Sequence, residues 1–359
     1  GLCNNARAIS TRRRCPPFNA LTLSFALSAR PKRASSSSIR RNVLSFSSRS
    51  LARSCSSSSR LRSASKSLSS AKSEGRHDAS NNTSSSSAAF LLYPIGHASA
   101  LKGVLLSHSA LIGVLPGFVA SQNWFPQPKD IFWTQHSWSS VDGLLGGLLP
   151  CLYFGRPIVA LDGHFSTRQT IECLHKYKVS NISLPCSSLR AVMEEPQPDL
   201  GSLSVRAIMS TGEHPSGQVY EWYANTLGLT PNHVYGQTEA PYIVGHSHAR
   251  WPARPGSMGK PFPGHLVTVL DEAGRPCPAG IIGQIAVNRY DIHGFPDPAL
   301  FLSYWQDETS TQQPFLRDWY LTGEHASIDR DGYFWYTGHQ SDIESQPATN
   351  SNGSVSLSL

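Results

Sequence analysis

Apolar and polar positions between residues 140 and 235 alternate in two periods. Residues 141–154 read as a buried helix and 157–161 as a short apolar strand. Residues 166–178 follow as an amphipathic helix capped by Ser166 or Thr167. A strand is predicted at 179–184, a helix at 187–194 and a strand at 205–210 that runs into Thr211-Gly212-Glu213. Pro215 is predicted to open the next helix in the first-turn position, ending near Thr226, and 232–235 is the next strand. Strands alternating with helices imply right-handed crossovers and a parallel sheet, hence an α/β fold. After residue 256 the rhythm changes. Residues 265–270 and 281–287 read as strands joined through a turn composition. Residues 325–328 and 333–336 flank Asp-Arg-Asp-Gly, a hairpin signal. This later part reads as a small antiparallel β subdomain.

Composition divides the chain. Residues 1–73 hold 15 Lys and Arg and no acidic residue, while 74–359 hold 16 basic and 24 acidic side chains. The overall charge of +7 therefore belongs to the first segment, and a nucleic-acid reading of the whole chain fails. Residues 1–89 are Ser- and Arg-rich and predicted to be disordered, because they lack the apolar surface to offset chain entropy. The segment reads as an organelle transit peptide, as a linker, or as translated sequence never selected to fold. An RNA-binding Arg/Ser segment is a fourth reading. The ordered part is predicted to begin near Phe90 and to end at 343, before a polar tail at 344–359. No apolar run is long enough for a membrane span; the longest, 141–161, is broken by Asp142, Pro150 and Arg156. Seven scattered cysteines show no CxxC pairing, which argues for reduced thiols and against a zinc site.

Chemistry concentrates at 232–239, Asn-His-Val-Tyr-Gly-Gln-Thr-Glu. An apolar run reaches Tyr235, and Gly236 is expected to permit a tight turn through dihedrals a Cβ forbids. Gln237, Thr238 and Glu239 follow at a strand end, where open α/β sheets place ligands. A hydroxyl beside a carboxylate can face a phosphate and its magnesium together. The same string also reads as a plain β-turn.

The string resembles the YGxTE motif of the adenylate-forming superfamily, the AMP-binding acyl- and aryl-CoA synthetases. Three further stretches match in the family's order. Thr211-Gly212-Glu213 is similar to the adenine-contacting turn. Residues 256–264 resemble the GSxGxPxPG segment, and 319–338 resemble the W-x-x-TGD…DGY block. The short- and medium-chain acyl-CoA synthetase branch is the nearest in flavour. The resemblance implies a large adenylate-forming domain over 90–343, with a parallel sheet, flanking helices and a small antiparallel barrel. It implies ATP, Mg2+ and coenzyme A, with a small-molecule carboxylate as partner. Glu239 would hold magnesium and Thr238 the phosphates. Thr211, Gly212 and Glu213 would contact the adenine and Tyr235 would stack on it, Gly236 and Gln237 would belong to the cofactor site, Glu324 would grip the ribose, and His339 stands at the family's Arg. Trp138 falls at the aromatic position beside the acyl pocket, or it fills core. An organelle matrix, mitochondrial for example, is the implied location, with the cytoplasm as alternative.

Several positions depart from the family pattern. Residues 90–103 sit where the family has its phosphate loop, which cradles phosphates with backbone N–H groups and hydroxyls. Tyr93, Gly96, Lys102 and Gly103 match, whereas Ile95, His97, Ala98 and Ser99 replace the Ser, both Thr and the middle Gly. The ribose Asp is Glu324, and the hinge Asp is Ser341. The resemblance also implies truncation at both ends, including the domain with the adenylation Lys. Impaired ligation is therefore expected, with a non-catalytic nucleotide-binding remnant as the rival reading.

Overall fold

A computed structural model describes residues 21–23, 84–94, 102–161, 166–196 and 198–339. An eight-stranded mixed sheet forms the centre, in the order β1-β5-β4-β6-β7-β8-β9-β10. Its strands are β1 (Leu21–Leu23), β4 (Phe132–Thr134), β5 (Ile158–Ala160), β6 (Asn181–Pro185), β7 (Ala207–Thr211), β8 (Asn232–Tyr235), β9 (Val244–Gly245) and β10 (Lys260–Pro261). The five middle strands are mutually parallel, as the sequence predicts, and the edges are antiparallel. β1 lies inside the segment expected to lack structure, and pairs with β5.

Successive residues of a strand face opposite sides. Phe132 accordingly enters the larger core, with Phe118 and Phe125, and Trp133 enters a second core with Ile182 and Leu184. The Phe118, Phe125 and Phe132 rings stand 5.3–6.3 Å apart at steep angles. Each such buried side chain contributes about 1.5–3 kcal/mol.

Helices cover both faces. α1 (Ala110–Ser121) is nearly all apolar. The predicted buried helix at 141–154 is helical in three stretches: α2 (Val141–Gly143), a π-helical turn Leu144–Leu148, and α3 (Leu149–Tyr153). α4 (Thr167–Tyr177) starts at Ser166, whose hydroxyl accepts from Gln169 N while the Gln169 side chain accepts from Ser166 N. That reciprocal pair satisfies two otherwise orphaned donors. α5 is Cys186–Glu194 and α6 is Gly217–Leu227. Ser216 is the cap of α6, so Pro215 lies one residue before the cap and not in the first turn as predicted.

Two antiparallel sheets complete the fold. The first joins β2 (Ala88–Leu92), β3 (Val104–Ser107) and β13 (Ser303–Tyr304). Residues 90–92, expected in a phosphate loop, are part of strand β2. The second contains β11 (Val267–Leu270), β12 (Gly283–Asn288), β14 (Phe315–Leu316), β15 (Trp319–Ile328) and β16 (Phe334–His339). β15 has ten residues, enough to pair with β14 and β16 on one side and β12 on the other. A short helix α7 (Glu308–Gln312) follows β13. The segment 256–264 connects the sheets: Met258 N donates to Phe334 O, Phe334 N donates to Gly259 O, and β10 pairs with β9.

Candidate functional site

β7 and β8 are parallel neighbours, so their carboxyl ends open on the same edge of the sheet. Thr211-Gly212-Glu213 leaves β7 there, and Gly236 to Glu239 leaves β8. Gly212 has φ +83, a conformation that L side chains rarely adopt. Gly236 is needed for another reason than expected. Its φ is not positive; a Cβ would lie 2.5 Å from Tyr242 N and 2.9 Å from Ala240 O. The bend therefore folds back on itself, closed by reciprocal backbone bonds of 3.1 Å between Gln237 and Ala240. Thr238 and Glu239 sit half-buried within it.

Gln237 joins this bend to the antiparallel sheet. Its Nε2 donates to Thr322 O at 2.8 Å, and its Oε1 accepts from Tyr320 Oη at 3.0 Å. Both partners lie on β15, which also carries Glu324. Tyr235 lies beside Thr322 and Glu324, and burial pushes its hydroxyl pKa up. Glu324 Oε2 accepts from Tyr336 Oη at 2.7 Å. His339 stands opposite Glu324 in the β15–β16 register, and its side chain lies outside the described residues. The register slips between His325 and Ala326, next to Glu324. Such bulges re-aim side chains beside sites.

Glu213 is 2.6 Å from Arg190 Nη2 in an exposed pair. Thr211 Oγ1 lies 3.1 Å from His136 Nε2. Burial lowers the pKa of His136, and the neighbouring Asp142 opposes that shift; burial raises Asp142. Trp138, two residues on from His136, packs half-buried against the larger core. On the other side, Glu239 Oε1 accepts from Tyr304 Oη at 2.7 Å. Lys102 Nζ donates to Ser310 Oγ at 2.7 Å and sits 5.1 Å above the Tyr304 ring. Residues 95–101 of the expected phosphate loop, and Ser341 with the tail beyond it, lie outside the described residues.

The structure thus gathers Tyr235, Gly236, Gln237, Thr238, Glu239 and Glu324 around one junction of two sheets. Lys102 reaches its rim through Tyr304. Sequence reasoning missed His136, Tyr304 and Ser310. Tyr304 sits in a two-residue strand that carries no periodic signal. His136 sits in the aromatic run before α2, where only Trp138 had been singled out.

A parallel α/β sheet whose strand ends meet an antiparallel half-barrel has the fold of adenylate-forming enzymes. More narrowly, the chain belongs to the AMP-binding enzyme family, whose pattern matches residues 26–294. That match reaches upstream of the motifs and ends before the 319–338 block. An uncharacterized acyl-CoA ligase, YtcI, of Bacillus subtilis is 30% identical over 288 residues, spanning 77% of this chain and 51% of the relative. The mouse mitochondrial acyl-coenzyme A synthetase ACSM3 is 31% identical over 220 residues, spanning 60% of this chain and 35% of the relative. The crystal structure of an acyl-CoA synthetase from Brucella canis superimposes with a TM-score of 0.62 at 25% identity, covering 71% of this chain and 46% of that one. The chain spans about half, or less, of the length of these relatives.

Proposed function

We propose that this chain is the nucleotide-handling part of an acyl-CoA synthetase-like ligase. A carboxylate oxygen attacks the α-phosphorus of ATP, forming an acyl-adenylate and releasing pyrophosphate. The thiolate of coenzyme A then attacks the acyl carbon and expels AMP. The observation that supports this reading is the tie from Gln237, two residues before Glu239 in the bend, to Tyr320 and Thr322 of β15, the strand that also carries Glu324.

In this reading Tyr235 and the Thr211-Gly212-Glu213 turn flank the adenine, with Gly236 and Gln237 shaping the floor. Glu324 accepts from ribose hydroxyls, and His339 stands opposite it in place of a permanently charged Arg. Thr238 donates to phosphate oxygens, Lys102 supplies a cation, and Trp138 walls the acyl group. Among the described residues no group of three or more His, Cys, Asp or Glu could hold a metal ion. Mg2+ needs no such group, because it is held by one or two carboxylates together with waters and substrate phosphates. Glu239 fits that demand, since Tyr304 engages only its Oε1. Bound magnesium would neutralise phosphate charge. The protein contributes positioning and fixed dipoles.

Loss of the loop hydroxyls at Ile95, His97 and Ala98 favours a second reading, nucleotide binding with little ligation. Calorimetry with AMP, and pyrophosphate release with ATP, magnesium and a panel of short, medium and aromatic carboxylates, with and without coenzyme A, separate the two. AMP should bind, and Glu324→Ala should weaken it. Pyrophosphate release should stay far below the common enzyme turnover of about 10 s⁻¹. Equal AMP affinity in the parent, Glu239→Ala and Glu324→Ala would remove the proposed site. Among the described residues no helix is long and apolar enough to cross a membrane. The acid-poor Arg/Ser segment, and the mitochondrial naming of the mouse relative, support a mitochondrial or other organelle matrix, with the cytoplasm as alternative.

A further inference from the structure

We infer that Tyr304 is a positioning residue that holds Glu239 and Lys102 apart and fixes the Glu239 carboxylate for metal, an inference that rests on reading Glu239 as the metal-facing carboxylate.

Tyr304 is seated by its strand pairing, its backbone N–H and its ring. β13 pairs with β3 through Tyr304 opposite Val104, two residues after Lys102. Trp305 N donates to Gly103 O at 2.7 Å. Tyr304 N donates to Thr311 Oγ1 at 2.9 Å, and that hydroxyl donates to Asp307 O at 2.7 Å. The ring packs 5.1 Å from Phe301. From this seat the hydroxyl reaches Glu239 Oε1 and the ring face meets Lys102 Nζ.

The anion and the cation of the site thus touch the same side chain, and no ion pair joins them to each other among the described residues. A direct Lys102–Glu239 pair would neutralise both groups before any ligand arrived. Tyr304 prevents it with groups that suit each charge: a donor for the carboxylate and a π face for the ammonium. Ser310 Oγ accepts a hydrogen bond from the Lys102 ammonium, and Asp307, hydrogen-bonded to Ser310, stands near Lys102. Glu239 presents one engaged oxygen and one for metal.

Tyr304→Phe removes only the hydroxyl and keeps the ring face over Lys102. Two quantities decide: the AMP dissociation constant without metal, and the Mg2+ concentration that half-saturates ATP binding. Groups that orient a metal ligand typically change metal affinity by about 10–100-fold when removed. Tyr304→Phe should raise the Mg2+ half-saturation by about that factor while AMP affinity and melting temperature stay at the parent's. If AMP affinity and melting temperature fall in parallel with Mg2+ dependence, Tyr304 is only structural and the inference is overturned. If Tyr304→Phe leaves Mg2+ dependence intact while Glu239→Ala abolishes it, the inference is wrong and the site reading stands. If Glu239→Ala itself leaves Mg2+ dependence intact, the metal role of Glu239 fails, and the inference with it.

Discussion

Gly236 shows how little room the candidate site leaves. The atoms a Cβ would meet, Tyr242 N and Ala240 O, are backbone, so no side chain can swing away. Gly236→Ala must open the bend that presents Glu239. Overpacking of this kind typically costs about 1–3 kcal/mol, and chemical denaturation should show a loss of that size. A variant as stable as the parent would mean that the bend yields freely. The turn after β8 was legible in the sequence, because a glycine between a strand and three polar residues marks a bend. The reason for the glycine was not, since close approach of residues 240–242 is a tertiary fact. Tyr336 Oη as the partner of Glu324 was not legible either, because it depends on the β15–β16 register.

Elements were read well where periodicity was long. β8 has the predicted bounds, and Ser166 caps α4. β13, β14 and β10 have two residues each, and so carry no pattern. The three-stranded sheet was hidden for another reason: its strands β2 and β3 have five and four residues, but the resemblance places residues 90–103 at the phosphate loop. At the opposite end of β7 from the site, Arg206 Nε donates to Asp130 Oδ1 at 2.8 Å, and Arg206 Nη1 donates to Asn123 O at 2.9 Å. The Asp130 side chain is 2% exposed. Removing one partner of such a pair strands the other charge in the interior. Arg206→Met should cost about 3–5 kcal/mol, and Arg206→Met with Asp130→Asn distinctly less. AMP affinity should be unchanged in both, because the length of β7 separates this pair from the Thr211-Gly212-Glu213 turn proposed to contact the nucleotide. Urea denaturation and calorimetry together check this, and a loss of affinity without a loss of stability would contradict it.

At the scale of the whole molecule, a histidine cluster gathers around β8, buried at His233 and His246 and half-buried at His214. His214 and His233 rings lie 4.3 Å apart, and His246 Nε2 is 3.0 Å from Ser257 Oγ. Burial pulls His214 down to about 4 and His246 to about 3, and it lowers His233 strongly. The unfolded chain therefore binds protons that the folded chain refuses. Stability is full above the ordinary histidine value near 6.5 and falls as pH drops below it, levelling off near the folded values. At pH 5 His214 and His246 should each cost about 2 kcal/mol. Denaturation at pH 7.5 and pH 5 should show that loss, and it should shrink in His233→Leu; a parent equally stable at both pH values would refute the linkage. The tie between Gln237 and Thr322 spans 85 positions of the chain, and that between Lys102 and Ser310 spans 208. Contacts so distant in sequence need large loops to close before they stabilise anything, which makes them slow. On refolding from denaturant, tryptophan burial in the parallel sheet should thus return before the capacity to bind AMP. A freshly collapsed chain would have the sheet and not yet the site.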